Sequence, residues 1–201
     1  RDGILFTVVL RDITDRVRSA EDERFLAGAG ATLAQSLDFD AAAIAIADLP
    51  VPRLADACIV DLIGPNDTLR RFVSTRQRES LTPALTAIGA RPLDWDSPSP
   101  IIDAIRRRRR ELATSIDVEW LDANEEPALV EHWQALGAHA LMALPLVLGE
   151  EVFGALTLVL TDAERTFTVE QRALADKFAT VASTTLENAA REGVRERVEV
   201  K

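Results

Sequence analysis

Two apolar runs, Ala140–Leu148 (ALMALPLVL) and 152–160 (VFGALTLVL), are separated only by Gly149-Glu150-Glu151. Strand-forming runs joined by so short a link pair as an antiparallel hairpin, because a parallel pair needs a long crossover. Alternation puts Leu156, Leu158 and Leu160 on one face of the second arm and Ala155, Thr157 and Val159 on the other. The hairpin leads into a helix expected from 169 to about 191, with Thr168 as its cap and Glu170 and Gln171 in its first turn. Leu174, Phe178, Val181 and Thr185 form the apolar seam of that helix.

Upstream, the pattern predicts a strand over 4–10 and then a helix capped by Asp12 or Thr14. The seam of this helix is Leu26, Gly30, Leu33 and Leu37, heptad-like but too short for a long coiled coil. A second helix over 39–49 ends before Pro50 and Pro52. Strands are expected at 56–63 and 69–75, turned by Gly64-Pro65-Asn66-Asp67. A helix over 77–89, a loop over 91–100, a short helix from 101 to about 108 and a short strand over 111–116 follow. Residues 117–136 hold one or two helical turns, broken near Pro127 and ended at Gly137. This order gives an α+β domain. Its antiparallel sheet carries the terminal helices on one face and an irregular helix and loop region on the other.

Length and composition narrow the function. The 201 residues make one domain plus ~40–60 more. A net charge of −10 argues against nucleic acid or an anionic membrane as partner. One cysteine excludes an intrachain disulfide framework and a multi-cysteine zinc site, and two histidines, His132 and His139, leave little for metal chemistry. No apolar run is long enough for a membrane span. The chain opens at Arg1 without a signal peptide and closes on a charged helix, so a cytoplasmic piece of a longer protein is expected. Phosphate-loop, zinc-protease, nucleophile-elbow and dinucleotide motifs are absent.

The final third carries a family likeness. Pro145-Leu146, the Gly154/Leu156/Leu158 strand, Phe167-Thr168 with Gln171, and Glu187-Asn188-Ala189 resemble the end of a GAF domain. VPRLADACIVDLI resembles the entry to a first GAF strand, and the likeness covers about residues 20–191. A strand followed by RDITDR resembles the close of a PAS domain. The division implied is a PAS remnant at 1–15, a GAF domain with its signalling helices at 16–191, and the start of a linker at 192–201. An upstream PAS domain and a downstream kinase, phosphatase or cyclase output are then the covalent partners. Gly154 is expected to permit a close backbone approach, Pro145 to mark an edge or bulge, and Phe167 to act as a hydrophobic staple.

GAF domains bind small molecules between the sheet and the irregular middle, here about residues 90–140, which hold Trp95, Trp120, Trp133 and both histidines. The pocket candidates are Cys58, Phe72, Trp95, Ile102, Trp120, Trp133, His139 and Met142. Against this stands plain core filling, the commoner role of aromatic side chains. Cys58 is a redox or bilin-attachment candidate or a buried small hydrophobe. The Cys-His pair of bilin-binding relatives and the N-K-F-D-E pattern of cyclic-nucleotide binders are missing. Either histidine is able to ligate haem iron, but a lone histidine is more often an ordinary hydrogen-bonded residue. No cofactor is assigned. The arginines at 106–110 either meet a phosphate or acidic partner or form a solvated helix end.

Three functional readings follow. In the first, a non-catalytic sensor and relay binds an unidentified small molecule and forms a homodimer through Leu26, Leu33, Leu37, Leu174, Phe178 and Val181. In the second, the domain is a dimerising spacer whose pocket is filled by Trp120 and Trp133. The third is an enzyme, which needs a converging acid and base among Asp94, Asp96, Glu119 and Asp122.

Overall fold

The computed structural model describes residues 14–35, 38–75, 78–91 and 93–199. The expected strand at 4–10, its PAS likeness and Leu37 lie outside these residues. Five strands, β1 (Ala57–Ile63), β2 (Leu69–Ser74), β3 (Glu111–Ala113), β4 (Ala140–Leu148) and β5 (Glu151–Leu160), form one sheet in the order β2-β1-β5-β4-β3. The four strand pairings are antiparallel. The helices are α1 (Thr14–Leu33), α2 (Phe39–Asp48), α3 (Thr82–Gly89), α4 (Pro100–Arg107), α5 (Val118–Asn124), α6 (Pro127–Leu136) and α7 (Val169–Glu199). Among the described residues no helix is long and apolar enough to cross a membrane.

Prolines explain where the helical middle departs from expectation. The single helix expected over 77–89 is a 3-10 turn at Glu79–Leu81 and then α3, which restarts with Pro83 in its first turn. The break expected near Pro127 is found, with Pro127 opening α6 and separating it from α5. Gly137 closes α6 at φ 71°, a conformation that costs glycine little.

The sheet divides two cores. Cys58, Val60, Leu62, Met142, Leu156 and Leu158 pack with residues of α1, α2 and α7 in the proximal core. Ile59, Leu141, Ala143, Ala155 and Val159 pack with residues of α3, α4, α5 and α6 in the distal core. The α+β architecture expected from the sequence, with terminal helices on one face, is the architecture found.

The seams of α1 and α7 are used within the chain. Leu33, Leu174 and Phe178 are buried in the proximal core, and Leu26 and Val181 pack against it. Phe25 meets Phe178 with ring centroids 5.7 Å apart. Of the residues expected to meet a second copy, Leu33, Leu174 and Phe178 are thus packed into the chain's own core.

The motif residues have identifiable structural work. Thr168 and Gln171 form a reciprocal capping box at the start of α7, each backbone N–H donating to the other's side-chain oxygen, at 3.0 and 3.2 Å. Pro145 faces Ala155 in β4, beyond the last β3 pairing at Glu111↔Ala143 and beside a register shift at Leu146/Val147. Its missing N–H therefore falls on an open edge next to a bulge. Gly154 has φ 147°, and a Cβ there would stand 1.9 Å from the Asp61 carbonyl oxygen. We predict that Gly154→Ala destabilises the domain by about 3 kcal/mol or more, read from urea unfolding. An unchanged midpoint would contradict the close approach of β1 and β5.

Candidate functional site

The distal core is largely apolar, and charged side chains from separate elements are buried in it. Strand register places Asp61 of β1 directly opposite Arg71 of β2. Both point away from the Cys58–Val60–Leu62 face, by alternation. The Arg71 guanidinium donates from Nε and Nη2 to the two Asp61 carboxylate oxygens at 2.7 and 3.1 Å. Its Nη1 lies 3.4 Å from the Ile88 carbonyl oxygen and 3.3 Å from that of Arg91. The two side chains are 1% and 0% exposed. A pair so deeply buried holds only because its geometry is bidentate and its remaining donors are partnered.

Glu125 sits at the junction of α5 and α6, where its backbone N–H caps α5 on the Leu121 carbonyl. It is 1% exposed, and neither carboxyl oxygen has a hydrogen-bond partner. Burial lifts its carboxyl to about 8. Arg71 and the Trp133 indole N–H pull it down, while Asp61 and Glu126 push it up. The Trp133 Nε1 is close enough to act on Glu125 electrostatically, yet it is off hydrogen-bond geometry and unpartnered. Thr157 Oγ1 is also buried and unpartnered, on β5 opposite Ile59 and Ala143. Most buried polar atoms in native proteins are paired, so an orphaned group concentrated in one core is informative. The neighbouring Glu126 accepts from Ser97 Oγ, which ties the 91–99 loop to the same junction.

Among the described residues no group of histidine, cysteine, aspartate and glutamate side chains is arranged to hold a metal ion. A groove of about 560 Å³ lies on the other side of the sheet, between α1 and the start of α7. Its lining mixes Arg18, Glu21, Asp22, Arg53 and Glu170, and Arg53 already pairs with Asp22 at 2.7 Å.

A five-stranded antiparallel sheet in this order, with terminal helices on one face and short helices on the other, can be compared with known families. The family model described as GAF domain matches residues 21–186. The chain belongs to the GAF domain family. Three solved structures are similar. The GAF-B domain of DevS from Mycobacterium smegmatis is 19% identical, with a TM-score of 0.57 over 79% of this chain and 99% of that one. The GAF domain of a phosphoenolpyruvate-protein phosphotransferase from Coxiella burnetii is 16% identical, with a TM-score of 0.63 over 86% and 96%. A GAF domain/HD domain protein from Geobacter sulfurreducens is 16% identical, with a TM-score of 0.54 over 68% and 82%. At these identities the likeness is one of fold. No curated protein matches the chain significantly.

In this GAF domain the eight expected pocket residues do not converge. Cys58 and Met142 lie in the proximal core, and Phe72 packs against it, under the Arg70 guanidinium. Alternation put them on the face opposite the middle segment, so they belong to no pocket shared with the tryptophans. Ile102 and Trp133 are buried in the distal core, and Trp95 and Trp120 are half-buried against it. The Trp95 indole donates to the Asp67 carbonyl. Half-buried His139 immediately precedes β4, its backbone N–H on the Leu160 carbonyl at 2.8 Å. Gly137 ends α6 between His132 and His139, so the two do not share a helical face.

Burial pushes the Cys58 thiol well up, and Asp48 and Asp61 add to it. It is thus a small hydrophobe rather than an exposed nucleophile. Each arginine of 106–110 has a carboxylate partner: Arg106 with Asp96, Arg107 with Asp103, Arg108 with Glu150, Arg109 with Glu111 and Arg110 with Asp176. Asp94, Asp96, Glu119 and Asp122 are exposed rather than directed into the core.

Asp61, Arg71, Glu125 and Thr157 were missed by reasoning from the sequence. The available signal was a charge inside an apolar strand, ACIVDLI, at a position whose neighbours on the same face are buried.

Two outcomes test this geometry. Arg71→Met should cost about 3–5 kcal/mol by leaving Asp61 buried and unpaired, and Asp61→Leu/Arg71→Met should regain most of it. Urea unfolding of the three proteins decides. Glu125 titrates near 8 when folded against an ordinary value of 4.5, so the folded state holds the proton more tightly. Stability is fully present below the ordinary value and falls by up to about 1.4 kcal/mol per pH unit until the folded carboxyl ionises. The stability difference between wild type and Glu125→Gln should therefore grow from acid to mildly alkaline pH and then level off.

Proposed function

We propose that this GAF domain is a non-catalytic sensory and relay module of a multidomain signalling protein. A small molecule is received in the distal layer, and its presence is passed through the sheet to α1 and α7. The observation that supports this is the orphaned set on Glu125, Trp133 and Thr157. Keeping such atoms unpaired costs about 1–3 kcal/mol each, and a ligand supplies the missing partners. A relay is supported by β1, β4 and β5, which each present one face to either core. Two of the similar solved GAF domains come from proteins named for a phosphotransferase and for an HD domain, in keeping with a module inside a larger chain.

The wider context belongs to the same reading. Residues 1–15 close a PAS domain, 16–191 are the sensory domain with its helices, and 192–201 lead to an output of kinase, phosphatase or cyclase type. Copies pair through the solvent sides of α1 and α7, where Val17 and Val169 are exposed. The cellular compartment is the cytoplasm.

The competing reading is a spacer that binds nothing, supported by Trp133 filling the distal core at 1% exposure. A thermal-shift screen of metabolites separates the two. A ligand at 100 times its Kd stabilises by about 2.7 kcal/mol, enough to raise Tm by roughly 5–10 °C in a domain of this size. The sensory reading expects at least one such shift, lost in Thr157→Val/Trp133→Phe. No shift across a broad set leaves the spacer.

A further inference from the structure

Donors and acceptors in the distal cluster do not balance. All three nitrogens of Arg71 are engaged by Asp61 and by the Ile88 and Arg91 carbonyls, and Asp61 matches its charge. The uncommitted groups are the two oxygens of Glu125, the Trp133 N–H and the Thr157 hydroxyl. An indole and a hydroxyl bring hydrogen-bonding capacity but no positive charge. Asp61 and Glu126 both act on Glu125 as like charges. An anion entering here would add to that repulsion and find no uncommitted cation among the described residues of the cluster. A cation would meet a carboxylate whose charge nothing else balances, and would leave the set of Asp61, Arg71, Glu125 and ligand electrically neutral.

We propose that the distal site takes a small organic cation, an alkylammonium or alkylguanidinium, whose charged head is received by the Glu125 carboxylate. This rests on the sensory reading above and names the ligand class for it. Binding is coupled to a proton. In the empty domain Glu125 holds its proton at neutral pH, because its burial and the neighbouring Asp61 and Glu126 outweigh Arg71 and the Trp133 N–H. Docking of R–NH3⁺ makes an ion pair and sends the carboxyl proton to solvent, with no covalent bond made or broken. Apparent affinity then rises about tenfold per pH unit below the folded carboxyl's titration and levels off above it, while the ligand amine stays protonated.

The test uses ethylammonium and methylguanidinium as probes, with neutral acetamide and anionic propionate as controls at matched ionic strength. Each is titrated into the whole chain at several pH values from mildly acidic to mildly alkaline. Tryptophan fluorescence reports binding, and calorimetry in phosphate and in Tris reports the proton. The expected result is saturable binding of the cations only, with the pH dependence above and a buffer-dependent heat that reports about one proton released at neutral pH. Glu125→Gln, checked for folding by circular dichroism, should weaken cation binding at least tenfold and abolish its pH dependence. Glu126→Gln should leave binding within a few-fold. Cations that bind no better than sodium, or as well to Glu125→Gln as to wild type, overturn the proposal. If acetamide or propionate binds instead, and Thr157→Val/Trp133→Phe abolishes it, the cation is wrong and the sensory site stands. If no probe binds and the metabolite screen is also silent, both fail.

Discussion

The central strands are apolar on both faces, and everything else in the domain answers that constraint. β5 turns Leu156 and Leu158 one way and Ala155 and Val159 the other. A strand of this kind has no side that water can wet. Helices therefore cover the sheet twice, with the terminal pair and α2 on one side and four shorter helices on the other. The two covers are not equivalent. The proximal one rests on the two long helices α1 and α7. The distal one is built from short pieces restarted at Pro83, Pro100 and Pro127. Short pieces joined by loops can leave polar groups near a core without unfolding a helix to do so.

Charge inside the distal layer obeys different rules from charge on the surface. The five arginines of 106–110 are half-exposed and paired with acids that are exposed or, for Glu111, part-buried, which contributes little to stability and leaves none of the five without a carboxylate. Asp56 is the structural counterpart in the interior. Its buried carboxylate accepts from the Thr161 backbone and hydroxyl at 2.9 and 3.2 Å and from Arg165 at 2.6 Å. That carboxylate is fully satisfied and needs nothing from outside. Glu125 is equally buried and satisfied by nothing. The contrast between two carboxylates in one domain singles out the second.

Most of the fold was legible in the sequence, because period-two apolar runs, turn residues and caps act locally. The 140–160 hairpin, the Thr168 cap and the assignment of terminal helices to one face all follow from neighbours a few residues apart. The seams of α1 and α7 were legible as seams, but spacing alone does not say whether the partner is a second copy or the chain's own sheet. Here Phe25 and Phe178 meet across the two helices of one chain. The site was the least legible part. Its members come from β1, β2, β5 and the α5–α6 junction, and no local pattern joins Asp61 to Glu125. Tryptophans drew attention to the right layer, while Cys58, Phe72 and Met142 were drawn in from the wrong face. Face assignment by alternation would have separated them, and it would have paired Asp61 with Arg71 through the hairpin turn at 64–67.

Gly154 and Glu125 leave opposite marks on a lineage of such domains. At Gly154 the Asp61 carbonyl occupies the space of any side chain, so folding alone enforces the residue. Its persistence in a descendant reports only that the sheet still closes. Glu125 is held against the interest of folding, and many neutral residues would be more stable there. Random drift would erase it within a lineage that had stopped using the site. A descendant that keeps glycine at the first position and loses the acid at the second has retained the scaffold and given up the proposed ligand site.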